Sequence, residues 1–134
     1  MTQTVRRELQ EPAPSAAVRQ PALVATLRLA ALDCRAAPRA SVTACALLDP
    51  DAPAEEFARA LALCLPQMLL RRPVLRRPGA ARRSFDEEWL VALQGALSSG
   101  DRSSARFLLR RRVRPEAVPY LTLLLTGLSE RLYD

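Results

Sequence analysis

Apolar positions recur along most of this chain at the three- and four-residue spacing of a helix, and nowhere at the two-residue spacing of a strand. From Pro21, a residue suited to a first helical turn, Leu23, Val24, Leu27, Ala31 and Cys34 share one face, and Pro38 ends the stretch. A short second helix is expected over Ser41 to Leu48, with Val42, Cys45 and Leu48 on one side and Asp49-Pro50-Asp51 closing it. A third helix is expected from Asp51 as N-cap, with Pro53, Glu55 and Glu56 in its first turn. Its apolar face is Phe57, Leu61, Cys64, Leu65 and Met68. Pro66 predicts a kink or restart, because proline removes a helical hydrogen bond and clashes with the preceding turn. Arg71 and Arg72 are expected to finish this helix, where their charge suits the dipole.

Residues 73–83 read as a loop broken by Pro73, Pro78 and Gly79. Ser84-Phe85-Asp86-Glu87 is a capping box, and Glu88 adds a third carboxylate to the first turn of the helix it opens. That fourth helix places Phe85, Trp89, Leu93, Ala96 and Leu97 on one stripe, with Leu90 beside it, and stops at Gly100 as a left-handed cap. Asp101 caps a fifth helix whose inward residues are Ala105, Leu108, Leu109 and Val113 and whose last turn is Arg110, Arg111 and Arg112. A sixth helix starts at Pro115 or Pro119 and carries a clean stripe of Leu121, Leu124, Leu125, Leu128 and Leu132. Gly95 and Gly127 sit mid-helix at a propensity cost of ~1 kcal/mol each against alanine, which fits either a close helix crossing or two unrelated surface glycines. The expected fold class is all-α, a small bundle of five to six short helices. It is divided into a disordered tail over 1–20 and a single helical domain over 21–134, with a central helical hairpin at 84–114. The tail has prolines, scattered polar residues and no period. The helix-Gly-Asp-helix element is common in helical repeats, and one copy does not make a repeat protein.

Charge changes this picture. Twelve of the 20 arginines lie in two acid-free blocks, Arg71 to Arg83 and Arg102 to Arg114, while the rest of the chain sets 8 arginines against 14 acidic residues. The net charge of +6 therefore describes an acidic chain with two basic patches. Lys, His, Asn and Ile are absent, and since Lys, Asn and Ile have AT-rich codons, a GC-rich genome accounts for arginine as the base used. Codon bias does not account for where the arginines are placed. An antiparallel hairpin about Gly100 would bring the block before the fourth helix beside the end of the fifth. Arg71, Arg72, Arg76, Arg77, Arg82 and Arg83 would then supply a mobile part of one patch, and Arg110, Arg111, Arg112 and Arg114 a fixed part. Against this stands ordinary dipole compensation at a helix end, together with neutralisation by Asp86, Glu87 and Glu88 at the same end.

The remaining chemistry is mostly exclusion, and no catalytic residue is assigned. With no histidine or lysine, a serine or cysteine nucleophile lacks its base. One glycine in Arg77-Pro78-Gly79-Ala80 makes no phosphate cradle, and Asp86, Glu87 and Glu88 point apart on a helix, so they form no converging pair. The three cysteines, Cys34, Cys45 and Cys64, have no metal-site spacing and read as small buried hydrophobes in a reducing cytoplasm. No metal or cofactor is expected. A helix-turn-helix over 92–111 fits poorly, because Arg106 falls where an apolar residue must pack and Asp101 would face the DNA. Aromatic stacking platforms for single strands are lacking, Phe107 being the one aromatic in the basic blocks. No membrane span or signal segment is expected: Arg6-Arg7 is followed by Glu8, Glu11 and prolines, and Arg28 interrupts the only stretch before Cys34. The expectation is a non-enzymatic cytoplasmic interaction module, a small regulator or adaptor docking an acidic protein surface through its arginines. A DNA-binding regulator using the same arginines on phosphates is the alternative. Tyr120 and Leu123 leave room for homo-oligomer formation through the 119–132 helix.

Overall fold

The computed structural model describes residues 20–34 and 48–133. Within them the chain forms five α-helices: α1 (Ala22–Asp33), α2 (Ala54–Met68), α3 (Phe85–Ser98), α4 (Arg102–Arg112) and α5 (Val118–Tyr133). A 3-10 turn at Pro115–Ala117 leads into α5. The expected second helix, 41–48, lies outside the described residues except for Leu48, which is not helical, and so does the expected tail except for Gln20. Gln20 is fixed: its side-chain amide donates to the carbonyls of Ala80 and Ala81 and accepts from Arg83.

The buried residues of all five helices form one cluster. α2 and α5 are its central pair, α1 packs on α2, and α4 packs on α3. Leu61, Leu65 and Met68 of α2 meet Leu121, Leu124 and Leu125 of α5 in full burial, each side chain removing roughly 1.5–3 kcal/mol worth of apolar surface from water. The leucine stripe of α5 is spent on this core. Leu123, off the stripe, stands 53% exposed.

Two helix ends differ from the sequence expectation. α2 begins at Ala54 after Pro53, with no side-chain cap. Asp51 is not its cap, because Asp49 makes a turn of its own, accepting the Asp51 amide on its carboxylate and the Ala52 amide on its carbonyl. α2 also runs unbroken through Pro66 and ends at Met68, before Arg71 and Arg72. There the backbone turns extended: Leu69 pairs with Val113 in an antiparallel bridge, with the Leu70 amide donating to Arg112 O at 2.8 Å and the Arg114 amide to Met68 O at 2.9 Å. Bridge hydrogen bonds to the end of α4 replace the helical ones that a longer α2 would have made.

The two mid-helix glycines part company. A Cβ on Gly127 would lie 2.3 Å from Cε2 of Phe57, so α2 and α5 cross here at a distance only glycine allows. Phe57 cannot move aside easily, since it is buried and the Arg131 guanidinium stacks on it at 3.9 Å. Arg131 is itself held by the carbonyls of Ala52 and Gly127. Gly95 has open space around its Cβ position and marks no crossing. Gly100, at φ +74°, is the left-handed cap between α3 and α4, and Asp101 caps α4 by accepting the Ser104 amide.

The cysteines also divide. Cys64, fully buried in α2, is disulfide-bonded, whereas Cys34 is a free buried thiol. The reading of three thiols in a reducing compartment therefore fails at Cys64, and the cysteines lend that compartment no support. Burial pushes the Cys34 thiol up, Arg59 opposes the rise and Asp33 adds to it. Cys45 lies outside the described residues.

Opposite outcomes are expected for the two glycines. Gly127→Ala should lose about 1–3 kcal/mol to overpacking, more than its helix propensity gain, while Gly95→Ala should gain up to about 1 kcal/mol. Urea midpoints of the two variants against wild type measure both. For the cysteines, thiol titration of the unfolded chain without reductant should find a single thiol per chain, and three after reduction.

Candidate functional site

The first basic block and the last turn of the second meet at one end of the α3–α4 hairpin, while Arg102 and Arg106 lie further along α4 toward its start. α3 starts where α4 ends, and the two ends are joined by Arg112, whose guanidinium pairs with Asp86. The indole of Trp89 donates to Leu108 O at 3.0 Å a turn further in. The bridge at Leu69–Val113 then brings the start of the first block against the end of the second.

What shapes this end of the molecule is Glu87. The capping box is present in both directions, Ser84 Oγ accepting the Glu87 amide and Glu87 accepting the Ser84 amide. But Glu87 does more than cap. It is 1% exposed, and its two oxygens accept four hydrogen bonds: Nε and Nη2 of Arg28, and the amides of Ser84 and Arg76, all at 2.9 Å. Arg28, 2% exposed on α1, spends its remaining donors on the carbonyls of Ala80 at 2.8 Å and Arg82 at 3.1 Å. A buried charge is tolerated only when paired and hydrogen-bonded, and this pair is both: Arg28 makes four hydrogen bonds and Glu87 accepts four. Burial pushes the Glu87 carboxyl up, but the hydrogen bonds from Arg28, Ser84 and Arg76 and the Arg28 charge outweigh it, leaving the carboxyl below its ordinary value of 4.5.

Asp86 and Ser84 complete the anchorage. Asp86 accepts the Val74 amide at 2.8 Å on one oxygen and Arg112 on the other, and the Ser84 hydroxyl donates to Val74 O. The stretch from 70 to 84 is thus tied down at residues 70, 74, 76, 80, 82 and 84. The arginines expected to form a mobile part of the patch thus sit on a backbone that is hydrogen-bonded along its length. Three acidic residues in a row do point apart, as helical geometry requires, and each finds its own arginine: Asp86 takes Arg112, Glu87 takes Arg28 and Glu88 takes Arg83 at 2.7 Å.

The ten candidate arginines therefore divide. Arg83 and Arg112 are internally paired and partly covered. Arg71, Arg72, Arg76, Arg77, Arg82, Arg110, Arg111 and Arg114 are exposed, and none of them pairs with a carboxylate among the described residues. Phe85, expected in the core, is 74% exposed and lies under Arg112, whose guanidinium is 5.0 Å from its ring centre. As the first helical residue, it points outward where Ser84 and Glu87 fill the interior. Phe107, 60% exposed, carries Arg111 at 5.4 Å in the same way. Both guanidiniums gain a face-on aromatic contact worth ~0.5–1 kcal/mol at the surface.

The sequence clusters the arginines but does not show what holds the backbone that carries them. The one available signal was Arg28, a charged residue on the apolar side of α1 next to Leu27, which is a costly place for a charge without a partner. Among the described residues no helix is long and apolar enough to cross a membrane. No protein-family model, curated protein or solved structure matches the chain.

The Arg28–Glu87 pair generates a pH prediction. Because the folded-state carboxyl is depressed, its stabilisation is complete above about pH 4.5 and is lost as pH falls through the lower folded-state value. Glu87→Gln, which leaves Arg28 buried without its counter-ion, should cost about 3–5 kcal/mol at neutral pH. Urea titrations from neutral pH down to the acid limb should show this gap closing as wild type loses the charge.

Proposed function

We propose that this chain is a non-enzymatic helical interaction module that docks an acidic protein surface through the arginines at the open end of the α3–α4 hairpin. The observation that carries the reading is the contrast between inside and outside. Asp86, Glu87 and Glu88 are all consumed by Arg112, Arg28 and Arg83, so the eight exposed arginines keep their full charge. The backbone of the first block is hydrogen-bonded to Glu87 at Arg76 and to Asp86 at Val74. Uncompensated like charges crowded on one surface repel each other, and an anionic partner relieves that repulsion. A fixed backbone also reduces the ordering cost of binding.

A protein surface fits better than nucleic acid. Exposed Leu70 and Val74 are interleaved with Arg71, Arg72 and Arg76, offering the apolar contacts that a protein interface uses beside its charges. The exposed aromatics beside these arginines, Phe85 at the start of α3 and Phe107 in the middle of α4, are each covered on one face by an arginine rather than left open for a base. In this reading the module acts as a small regulator or adaptor.

The test is the double charge reversal Arg76→Glu, Arg77→Glu. Both side chains are exposed and pair with no carboxylate among the described residues, so thermal stability should be unchanged, while binding to a poly-glutamate peptide at low salt should weaken by about tenfold or more. Random-sequence duplex DNA, titrated at two salt concentrations, decides the other way. Eight phosphate contacts would give a slope of roughly −7 in log K against log salt, and that slope, made shallower by about 2 in the same variant, would replace an acidic protein by DNA as the partner.

A further inference from the structure

A second surface lies beside the patch. α4 packs on α3 but makes no comparable packing against α5, although the chain runs from one to the other through the 3-10 turn. The space between them is a groove of about 510 Å³. Its apolar lining is Leu97 from α3, Ala105 and Leu109 from α4 and Val118 from α5, with Thr122 a turn beyond. One side is lined by Arg102, Arg106 and Arg110, one residue per turn of α4. All three are exposed, and none pairs with a carboxylate among the described residues. Asp101 also borders the groove, but its carboxylate is engaged as the α4 N-cap.

The groove does not stop at Thr122. Leu97 also lines a neighbouring cleft of about 440 Å³ between α3 and α5, bordered by Thr126, Ser129 and Tyr133. Val118, Thr122, Thr126, Ser129 and Tyr133 follow one another at three- to four-residue steps, so a single face of α5 flanks both cavities. A 16-residue helix such as α5 is about 24 Å long. The furrow is therefore as long as a helix: apolar and bordered by arginines beside α4, and polar beyond Leu97, where Glu130 lines it and Gln94 donates to Ser129 across it.

We infer that the α4–α5 furrow receives an amphipathic acidic helix of another protein, its apolar face on Leu97 and Leu109 and its carboxylates beside Arg102, Arg106 and Arg110. Successive turns of two aligned helices rise by the same ~5.4 Å, so carboxylates one turn apart on the partner match arginines one turn apart on α4. This is recognition of a helix in a groove, with apolar anchors at helical spacing. A second copy of this chain does not supply such a helix from its described residues. Glu55 and Glu56 of α2 are adjacent rather than a turn apart, Asp86, Glu87 and Glu88 are consumed internally, and α5 has Glu130 alone. The furrow shares only Arg110 with the patch described above, so the two surfaces can fail separately.

The experiment uses the full chain and a fluorescent, side-chain-stapled helical peptide of about 16 residues, with leucines at i, i+4 and i+7 and glutamates flanking them. A control peptide replaces each glutamate by lysine. The glutamate peptide should bind, by anisotropy, and should lose about tenfold or more in affinity with the Arg102→Glu, Arg106→Glu variant and again with Thr122→Arg, which fills the furrow. Arg76→Glu, Arg77→Glu should leave this binding unchanged, whatever it does to poly-glutamate. The inference is overturned if the glutamate peptide does not bind, if the lysine peptide binds equally well, or if Thr122→Arg leaves binding intact. It is also overturned if the wild-type chain is a dimer in solution that Thr122→Arg converts to monomer, since a second copy would then occupy the furrow.

Discussion

The Arg28–Glu87 ion pair is the constraint on which the arginine-bearing end of this molecule depends. It joins α1 to α3 across 59 residues of sequence, and its unused donors and acceptors are spent on the backbone between 76 and 84. A buried pair of this kind adds little net stability, because desolvation of two charges offsets their attraction. Its effect is one of specification. No apolar pair of the same volume could accept the amides of Ser84 and Arg76 while donating to the carbonyls of Ala80 and Arg82. The stretch that bears six arginines would then have backbone groups without partners, and it would have no reason to hold one path. An interaction at the centre of the fold thus decides the geometry of a charged surface at its edge.

Much of the architecture is legible from periodicity and caps. The all-α class, the α3–α4 hairpin with Ser84 and Asp101 as caps and Gly100 between them, and the leucine stripe of α5 all follow from local rules and all stand in the structure. The failures have a common cause, which is long-range hydrogen bonding that local rules cannot see. α2 stops at Met68 because Leu69 finds Val113 in the bridge. Phe85 leaves the core because the N-terminus of α3 is filled by Glu87 and its partners. The 70–84 stretch reads as a loop from its prolines and glycine, and it is irregular, but its fixity comes from Arg28, Asp86 and Glu87. Gly127 and Gly95 look alike in sequence, and only the position of Phe57 separates them.

The candidate surface is legible in part. Clustering marks the arginines, and helix connectivity is enough to bring both blocks to one end. Which arginines remain free is a different matter, because it depends on a count of internal carboxylates. Asp86, Glu87 and Glu88 take one arginine each, and one of those three, Arg28, comes from outside both blocks. The furrow along α5 could not be read from sequence at all, since it exists where two helices fail to pack and leaves no periodic trace.

The bridge between Leu69 and Val113 carries one more consequence. It closes the chain on itself, so that both basic blocks belong to a single ring of backbone whose ends are hydrogen-bonded together. The blocks cannot drift apart while that ring holds, whatever their side chains do. Their separation is therefore set by the ring, and a partner that engaged both blocks would have to match the interval between its charges as well as their number.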